Sequence, residues 1–278
     1  MSTVEWEISK VHKDGGRETL TDRVVVEEPL EISVNGMPLV ALMRLPGNDK
    51  ELAVGFCITE KIIASAGDIR LLKHCGEMEK RAAQGRAAEE PDGATDRGNL
   101  VELEVERTGD TGRFASTYVV RTGCGGDDLA AMTDQLAGAV VSDLRVRAAV
   151  IHELGEKLTA RQEVFRGTGG THGAAVFETS GELVVAREDI GRHNALDKVV
   201  GFCALSRIPL EDKLLFISGR ISYEMALKAI RSGSPVLASL AAPTSLGLRI
   251  AEEAGLTVIG FSDGRRFNVY THARRVEA

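Results

Sequence analysis

The sequence predicts an α/β protein in two parts: a smaller β-rich N-terminal domain over residues 1–121 and a three-layer α/β domain over 122–278. Two observations carry this. Residues 30–45 alternate apolar and polar around Asn35-Gly36, a strong short hairpin signal. From Ala174 onward, short apolar runs alternate with helical patterns, the rhythm of strand–helix–strand units with a largely parallel sheet. The glycine-rich stretch Thr122 to Gly126 marks the boundary.

In the first part, Gly47-Asn48-Asp49 offers a helix start before Glu51 to Ala64, where Leu52, Phe56 and Ile63 share a face. Residues 76–98 are charged and rich in Ala and Gly, the composition of a mobile surface loop. Leu100 to Val105 alternates strictly and reads as a half-buried strand, with Phe114 to Val120 as its partner. In the second part, Asp127 to Val141 and Arg147 to Phe165 read as helices. Ala174 to Phe177 and Leu183 to Ala186 read as strands joined through Ser180-Gly181. Then come helix Ala195–Leu205, strand Leu214–Ile217, helix Tyr223–Ile230, strand Val236–Ser239, helix Ser245–Ala254, strand Thr257–Phe261 and a last strand over Arg266–Tyr270.

Composition narrows the function. Thirty-four basic against 41 acidic residues give a net charge of −7, which argues against a general nucleic-acid binder. No apolar run approaches the ~20 residues of a membrane-spanning helix, and Met1 to Asp14 lacks a signal pattern, so a cytoplasmic protein without membrane contact is expected. Cys57, Cys75, Cys124 and Cys203 lie far apart, with no C-x-x-C pair, so reduced thiols are expected.

Cys124 lies in Thr-Gly-Cys-Gly-Gly, with glycines leaving its sulfur uncrowded and a predicted helix starting behind it. A helix N-terminus favours the thiolate, the species that attacks sulfur or carbon centres. Asp127 and Asp128 oppose this. The alternative is a cysteine that merely lies in a turn. Cys57 and Cys203 fall within helical patterns and read as core.

Several loops suit an anionic ligand. Gly167 leads into Thr168, Gly169, Gly170, Thr171 and His172, which can turn backbone N–H groups towards a phosphate, although no Walker ending follows. Glu188 to Lys198 includes Arg192, whose fork matches an oxyanion, and His193, which titrates near neutrality. In open α/β sheets ligands bind beyond the carboxyl ends of strands. Ser218 to Ser222 (with Arg220), Ser239 to Ser245, and Phe261 to Arg266 follow three successive strands. The last offers Phe261, Ser262, Asp263, Gly264, Arg265 and Arg266: an aromatic face, a carboxylate able to accept from guanine, and two guanidiniums. The competing readings are a tight turn, a capped surface helix and a plain hairpin turn.

Taken together, Glu51-Leu-Ala-Val-Gly-Phe56, the cysteine loop, Thr168 to His172, Glu188 to Lys198, Ser218 to Glu224, Ala242-Pro-Thr-Ser245 and Gly260 to Tyr270 resemble the formate dehydrogenase accessory family FdhD, also called FdhD/NarQ. The resemblance implies a sulfurtransferase. It would take persulfide sulfur from a cysteine desulfurase onto Cys124 and pass it to the bis(molybdopterin guanine dinucleotide) molybdenum cofactor of formate dehydrogenase. Guanine-nucleotide binding and a homodimer are implied with it. Many members carry two cysteines in a C-G-x-C-G loop; this chain has Cys124-Gly-Gly-Asp127, or by another alignment Arg121 in the first position, so one loop thiol remains. A non-catalytic cofactor chaperone therefore stays open. The second domain also resembles the cytidine deaminase fold, whose zinc motifs would fall at His193-Asn-Ala195 and Pro243-Thr-Ser-Leu-Gly247. The catalytic glutamate and both cysteines are missing there, so no zinc is expected.

Overall fold

The computed structural model describes residues 1–75, 99–106, 108–109, 136 and 138–278. The expected loop over 76–98, the strand Phe114–Val120, the cysteine loop 122–126 with the boundary at Thr122, and most of the helix Asp127–Val141 lie outside the described residues. The end of that last element differs from expectation. Gly138 has φ +66°, and the backbone there leaves the helix to bond instead to the carbonyls of Glu253 and Ala254.

The chain opens with an antiparallel hairpin, β1 (Thr3–Val11) and β2 (Arg17–Val25). Next come β3 (Glu28–Val34) and β4 (Met37–Arg44), turned at Asn35-Gly36 as expected, both with positive φ. Helix α1 (Asp49–Thr59) follows. It starts without a side-chain cap, and Asn48 adopts a left-handed conformation. It stops before the predicted Ala64, because Lys61 turns to positive φ and the amides of Ile62 and Ile63 fold back onto the Cys57 carbonyl. β5 (Ile69–His74) and β6 (Leu100–Val105) complete a four-stranded sheet of order β4-β3-β6-β5.

After β7 (Val146–Arg147), the predicted helix Arg147–Phe165 divides into α2 (Ala148–Arg161) and α3 (Glu163–Thr168). The break falls at Gln162, which is buried with its side chain against Gly173. β8 (His172–Phe177), β9 (Leu183–Asp189), α4 (Arg192–Leu205), β10 (Leu214–Ile217), α5 (Tyr223–Ser232), β11 (Val236–Ser239), α6 (Ser245–Ala254), β12 (Thr257–Gly260) and β13 (Asn268–Val269) follow, and β14 (Val276–Glu277) pairs with β7.

The six-stranded sheet has the order β13-β12-β11-β10-β8-β9. Only β10–β11 and β11–β12 pair in parallel; the other three pairs are antiparallel. The sheet is thus mixed rather than largely parallel, because β8 and β9 form a tight hairpin at one end and β13 folds back at the other. One face, with Ala175, Phe177, Phe216 and Ala238, packs on Val150, Ile151 and Leu154 of α2. The opposite face, with Ala174, Val176, Leu215 and Leu237, packs on α4, α5 and α6 and joins one continuous core with α1 and the four-stranded sheet. Alternation along each strand sorts side chains between the two faces.

Candidate functional site

The parallel strands β10, β11 and β12 end at one edge of the sheet, where β9 also ends and β8 begins, since His172 pairs with Asp189 and Ile217 with Ala174. Five connections therefore meet: 168–172, 189–192, 218–222, 240–244 and 261–266. Backbone bonds knit them together. Ser218 donates to Gly173, Leu240 to Ile217, Ile221 to Ala242, Thr244 to Ile221, Phe261 to Ala241 and Ser262 to Ser239. The Ser239 hydroxyl donates to the Gly219 carbonyl at 2.6 Å. Loops held this way are pre-organised rather than ordered at a ligand's expense.

The structure gathers the sequence-predicted residues along this edge. Thr168 ends α3 with its hydroxyl on the Val164 carbonyl, Gly169 takes the left-handed conformation that closes the helix, and the Gly170 amide donates to Thr168 Oγ1. Thr171 is buried and donates to Glu188 Oε1 at 2.7 Å. His172 lies 3.4 Å from the Ser218 hydroxyl. Arg192 stacks beside Gly219, where a Cβ would sit 3.3 Å from its side chain and 3.4 Å from the His172 ring. The Nε of Arg192 is buried and has no hydrogen-bond partner among the described residues. Arg220, Arg265 and Arg266 are exposed. Asp263 Oδ1 accepts from the amides of Arg265 and Arg266, and these two bonds hold its carboxyl below the usual carboxylate range. Gly264 has φ +87° and completes this turn, while Ser262 is buried with its hydroxyl directed to the Ile151 carbonyl. Phe261, also at positive φ, keeps its ring 39% exposed.

A cleft of about 410 Å³ opens among these loops, lined by Phe165, Gly169, Gly170, His172, Ile190 and Ser218 with Gln162 and Leu240. The larger cleft, about 920 Å³, lies between Lys61–Gly67 and Leu205–Glu211 and touches none of the sequence-predicted site residues.

Three groups hold the site: Glu188 and Ser218, which open two of the segments the sequence singled out but carried no role of their own there, and Gln162, which the sequence placed inside a helix. Glu188 accepts from the amides of Val164 and Phe165 and from Thr171, and so fixes α3 and the glycine loop together. Gln162 packs under that loop, and Ser218 accepts from the Gly173 amide. An acidic residue directly before Asp189 was the available signal, but its partners lie 17 to 24 positions away. Asp189 serves as a lock rather than a ligand: its carboxylate accepts from Gly191, Asn194, Leu45 and Lys198, the last at 2.8 Å. Asn194 also donates to the Met43 carbonyl, so the start of α4 is pinned to the end of β4.

Electrostatics follow burial. Burial and the neighbouring Arg192 lower the His172 pKa. Burial, then Arg192 and Lys228, bring His193 down to about 3, so a neutral imidazole sits 3.0 Å from Glu224. Burial raises Cys57 and Cys203 to about 12, which fits their place in the core.

This edge, with glycine turns, a buried arginine nitrogen that has no partner among the described residues and a rim of guanidiniums, is an α/β sheet end of the kind that suits an anionic ligand. The chain belongs to the FdhD/NarQ family, whose model matches residues 25–277. It is 41% identical over 275 residues to the sulfur carrier protein FdhD of Sulfolobus acidocaldarius, covering 97% of both chains, and 39% identical over 272 residues to that of Streptomyces coelicolor, covering 95% of this chain and 92% of that one. Its fold matches the crystal structure of a candidate formate dehydrogenase accessory protein from Desulfotalea psychrophila with a TM-score of 0.76 at 23% identity, covering all of both chains. Among the described residues, no helix is long and apolar enough to cross a membrane.

Proposed function

We propose that the protein is a sulfur carrier in formate dehydrogenase maturation, with Cys124 as the thiol that holds the sulfur. The observation that carries this reading is the 41% identity, over 97% of the chain, to a relative named for that role. A cysteine desulfurase would load Cys124 with sulfane sulfur as a persulfide, and the acceptor would be the molybdenum cofactor, here a cargo rather than a resident group. The sheet edge suits such a cargo. Arg192, Arg220, Arg265 and Arg266 supply cations for its phosphates, whereas the amides of Gly169 and Gly170 are taken up by the Phe165 carbonyl and the Thr168 hydroxyl. Phe261 would stack on a guanine end, and Asp263 would accept from it through the oxygen that the Arg265 and Arg266 amides leave open. In this reading the six-stranded unit reuses a cytidine-deaminase-like frame for nucleotide binding, with His193 turned to Glu224 where that enzyme class would hold zinc. The work is done in the cytoplasm.

The test pairs two variants. Cys124→Ala is expected to abolish maturation of active formate dehydrogenase while leaving guanine-nucleotide binding intact. Arg265→Ala with Arg266→Ala is expected to weaken that binding. Unchanged affinity in the double variant contradicts the assignment of the cargo site. A second reading, a cofactor chaperone without sulfur chemistry, is favoured by one observation: Asp127 stands where many family members carry a second loop cysteine. It predicts that Cys124→Ala matures the dehydrogenase normally.

A further inference from the structure

One wall of the cleft of about 410 Å³ is the segment running from α3 into the glycine loop, which supplies Phe165, Gly169, Gly170 and Thr171. That segment has little to hold it. Helix α3 is six residues long with no buried residue, and a helix so short is marginal on its own. Glu188 fixes its first turn through the amides of Val164 and Phe165. At its other end the bonds are local: Thr168 donates to the Val164 carbonyl, Gly169 to that of Phe165, and Gly170 to the Thr168 hydroxyl.

The β1–β2 ribbon packs against that end. Among the described residues, α3 is the element outside the ribbon that β2 contacts most. Residues two apart in a strand share a face, and Arg23 and Val25 share the face that meets α3 and its loop. A Cβ on Gly170 would lie 2.7 Å from Val25 Cγ1 and 3.3 Å from Val25 Cβ, and one on Gly167 would lie 3.5 Å from Arg23 Nη1. Arg23 is steadied in turn, since its Nη2 donates to Thr3 Oγ1 across the ribbon at 3.2 Å.

Gly170 is not at positive φ, so its backbone would accept a side chain; Val25 is what excludes one. The close approach of β2 therefore accounts for the glycine. Neither β1 nor β2 has a buried residue, and a lone two-stranded hairpin is marginal in water. Two marginal elements thus lean on each other at the edge of the cleft. The FdhD/NarQ match starts at residue 25, the last of β2, so the rest of the ribbon lies outside it.

We infer that β2 positions the glycine wall of the cleft, with Val25 as a positioning residue that acts through Gly170 to set the affinity for an anionic cargo. The effect on affinity rests on the cargo-site reading; the contact stands without it.

The experiment is a double-variant cycle in the full chain: wild type, Val25→Ala, Gly170→Ala and both together. Two quantities are read on each. One is hydrogen exchange over residues 163–172, with β10 and β11 as the internal reference for the fold; the other is GDP affinity by calorimetry. Val25→Ala opens a gap beneath Gly170, and Gly170→Ala drives a methyl into Val25. Each single variant is expected to speed exchange over 163–172 and to weaken GDP binding by about tenfold, with β10 and β11 unchanged. The double variant puts the new methyl where Val25 gave up its own, at an approach of 3.3 Å that a shift of a few tenths of an ångström relieves. It is expected to return both readouts to within about twofold of wild type. Losses that add in the double variant, or unchanged exchange in Val25→Ala, overturn the inference. So does faster exchange with GDP affinity kept, which makes the ribbon a support for α3 alone. If wild type binds no GDP, the cargo-site reading fails, and exchange alone decides the contact: recovery in the double variant supports positioning by β2, and additive losses overturn it.

Discussion

Gly55 of α1 and Gly201 of α4 meet with no room for a side chain on either: a Cβ on Gly55 would lie 1.8 Å from the Asp197 carbonyl oxygen, and one on Gly201 1.8 Å from that of Glu51. Backbone-to-backbone contact at this crossing joins the N-terminal sheet to the helix whose start carries Arg192. Neither Gly55→Ala nor Gly201→Ala can be absorbed by a rotamer change, because the obstacle is main chain. Each is expected to cost about 3 kcal/mol or more, the upper range for overpacking. Denaturant unfolding checks this, and a loss within about 0.5 kcal/mol contradicts so close a crossing.

Next to that crossing, Lys228 is buried with Asp197 at 2.9 Å, Thr59 at 2.8 Å and Glu60 at 3.0 Å. Burial works against its ammonium, but the carboxylates of Asp197 and Glu60 overcome this and raise its pKa. Lys228→Met leaves Asp197, fully buried, without its cation, and should destabilise by about 3–5 kcal/mol. Adding Asp197→Leu to Lys228→Met should recover much of the loss, since replacing both charges removes the uncompensated one. Thermal melts of the single and double variants separate the two outcomes.

His193 gives the fold a pH dependence. Its folded pKa, about 3, lies below the ordinary imidazole value of 6.5, so between those limits the unfolded chain binds more protons. The stability tied to the neutral ring is complete above pH 6.5 and is lost as pH falls towards 3, with a slope of ~1.4 kcal/mol per pH unit for one proton. His193→Gln should flatten the curve in that window. If wild type and variant run parallel there, the Glu224 carboxylate 3.0 Å away holds the ring protonated instead.

Glu188 ties the amides of Val164 and Phe165 to the Thr171 hydroxyl. Glu188→Ala leaves these donors without their acceptor and should cost about 2–3 kcal/mol. It should also weaken GDP binding in calorimetry, because the Thr168–His172 loop loses its anchor. Unchanged affinity in a folded variant would remove that loop from the cargo site.

The site was legible where local chemistry decides structure. Asn35-Gly36 could take positive φ at both positions, and the loops after β10, β11 and β12 had to meet because parallel strands end on one side. The first 25 residues gave no comparable signal: most residues of β1 and β2 stay exposed, and their apolar positions answer to each other rather than to a core. The division of the helix at Gln162 depends on a side chain packed on Gly173, and the Asp197–Lys228 pair spans 31 positions; neither leaves a periodic trace. The mixed sheet was hidden for the same reason, since strand direction at β8 is set by its pairing with β10 and not by its own residues.

The measurement that bears most directly on the sulfur-carrier reading is intact-protein mass spectrometry after incubation with an active cysteine desulfurase and cysteine, on wild type and on Cys124→Ala. The account predicts a one-sulfur adduct on wild type, removed by a thiol reductant and absent from the variant. An adduct of equal yield on the variant, or none on either protein while the desulfurase turns over, contradicts it.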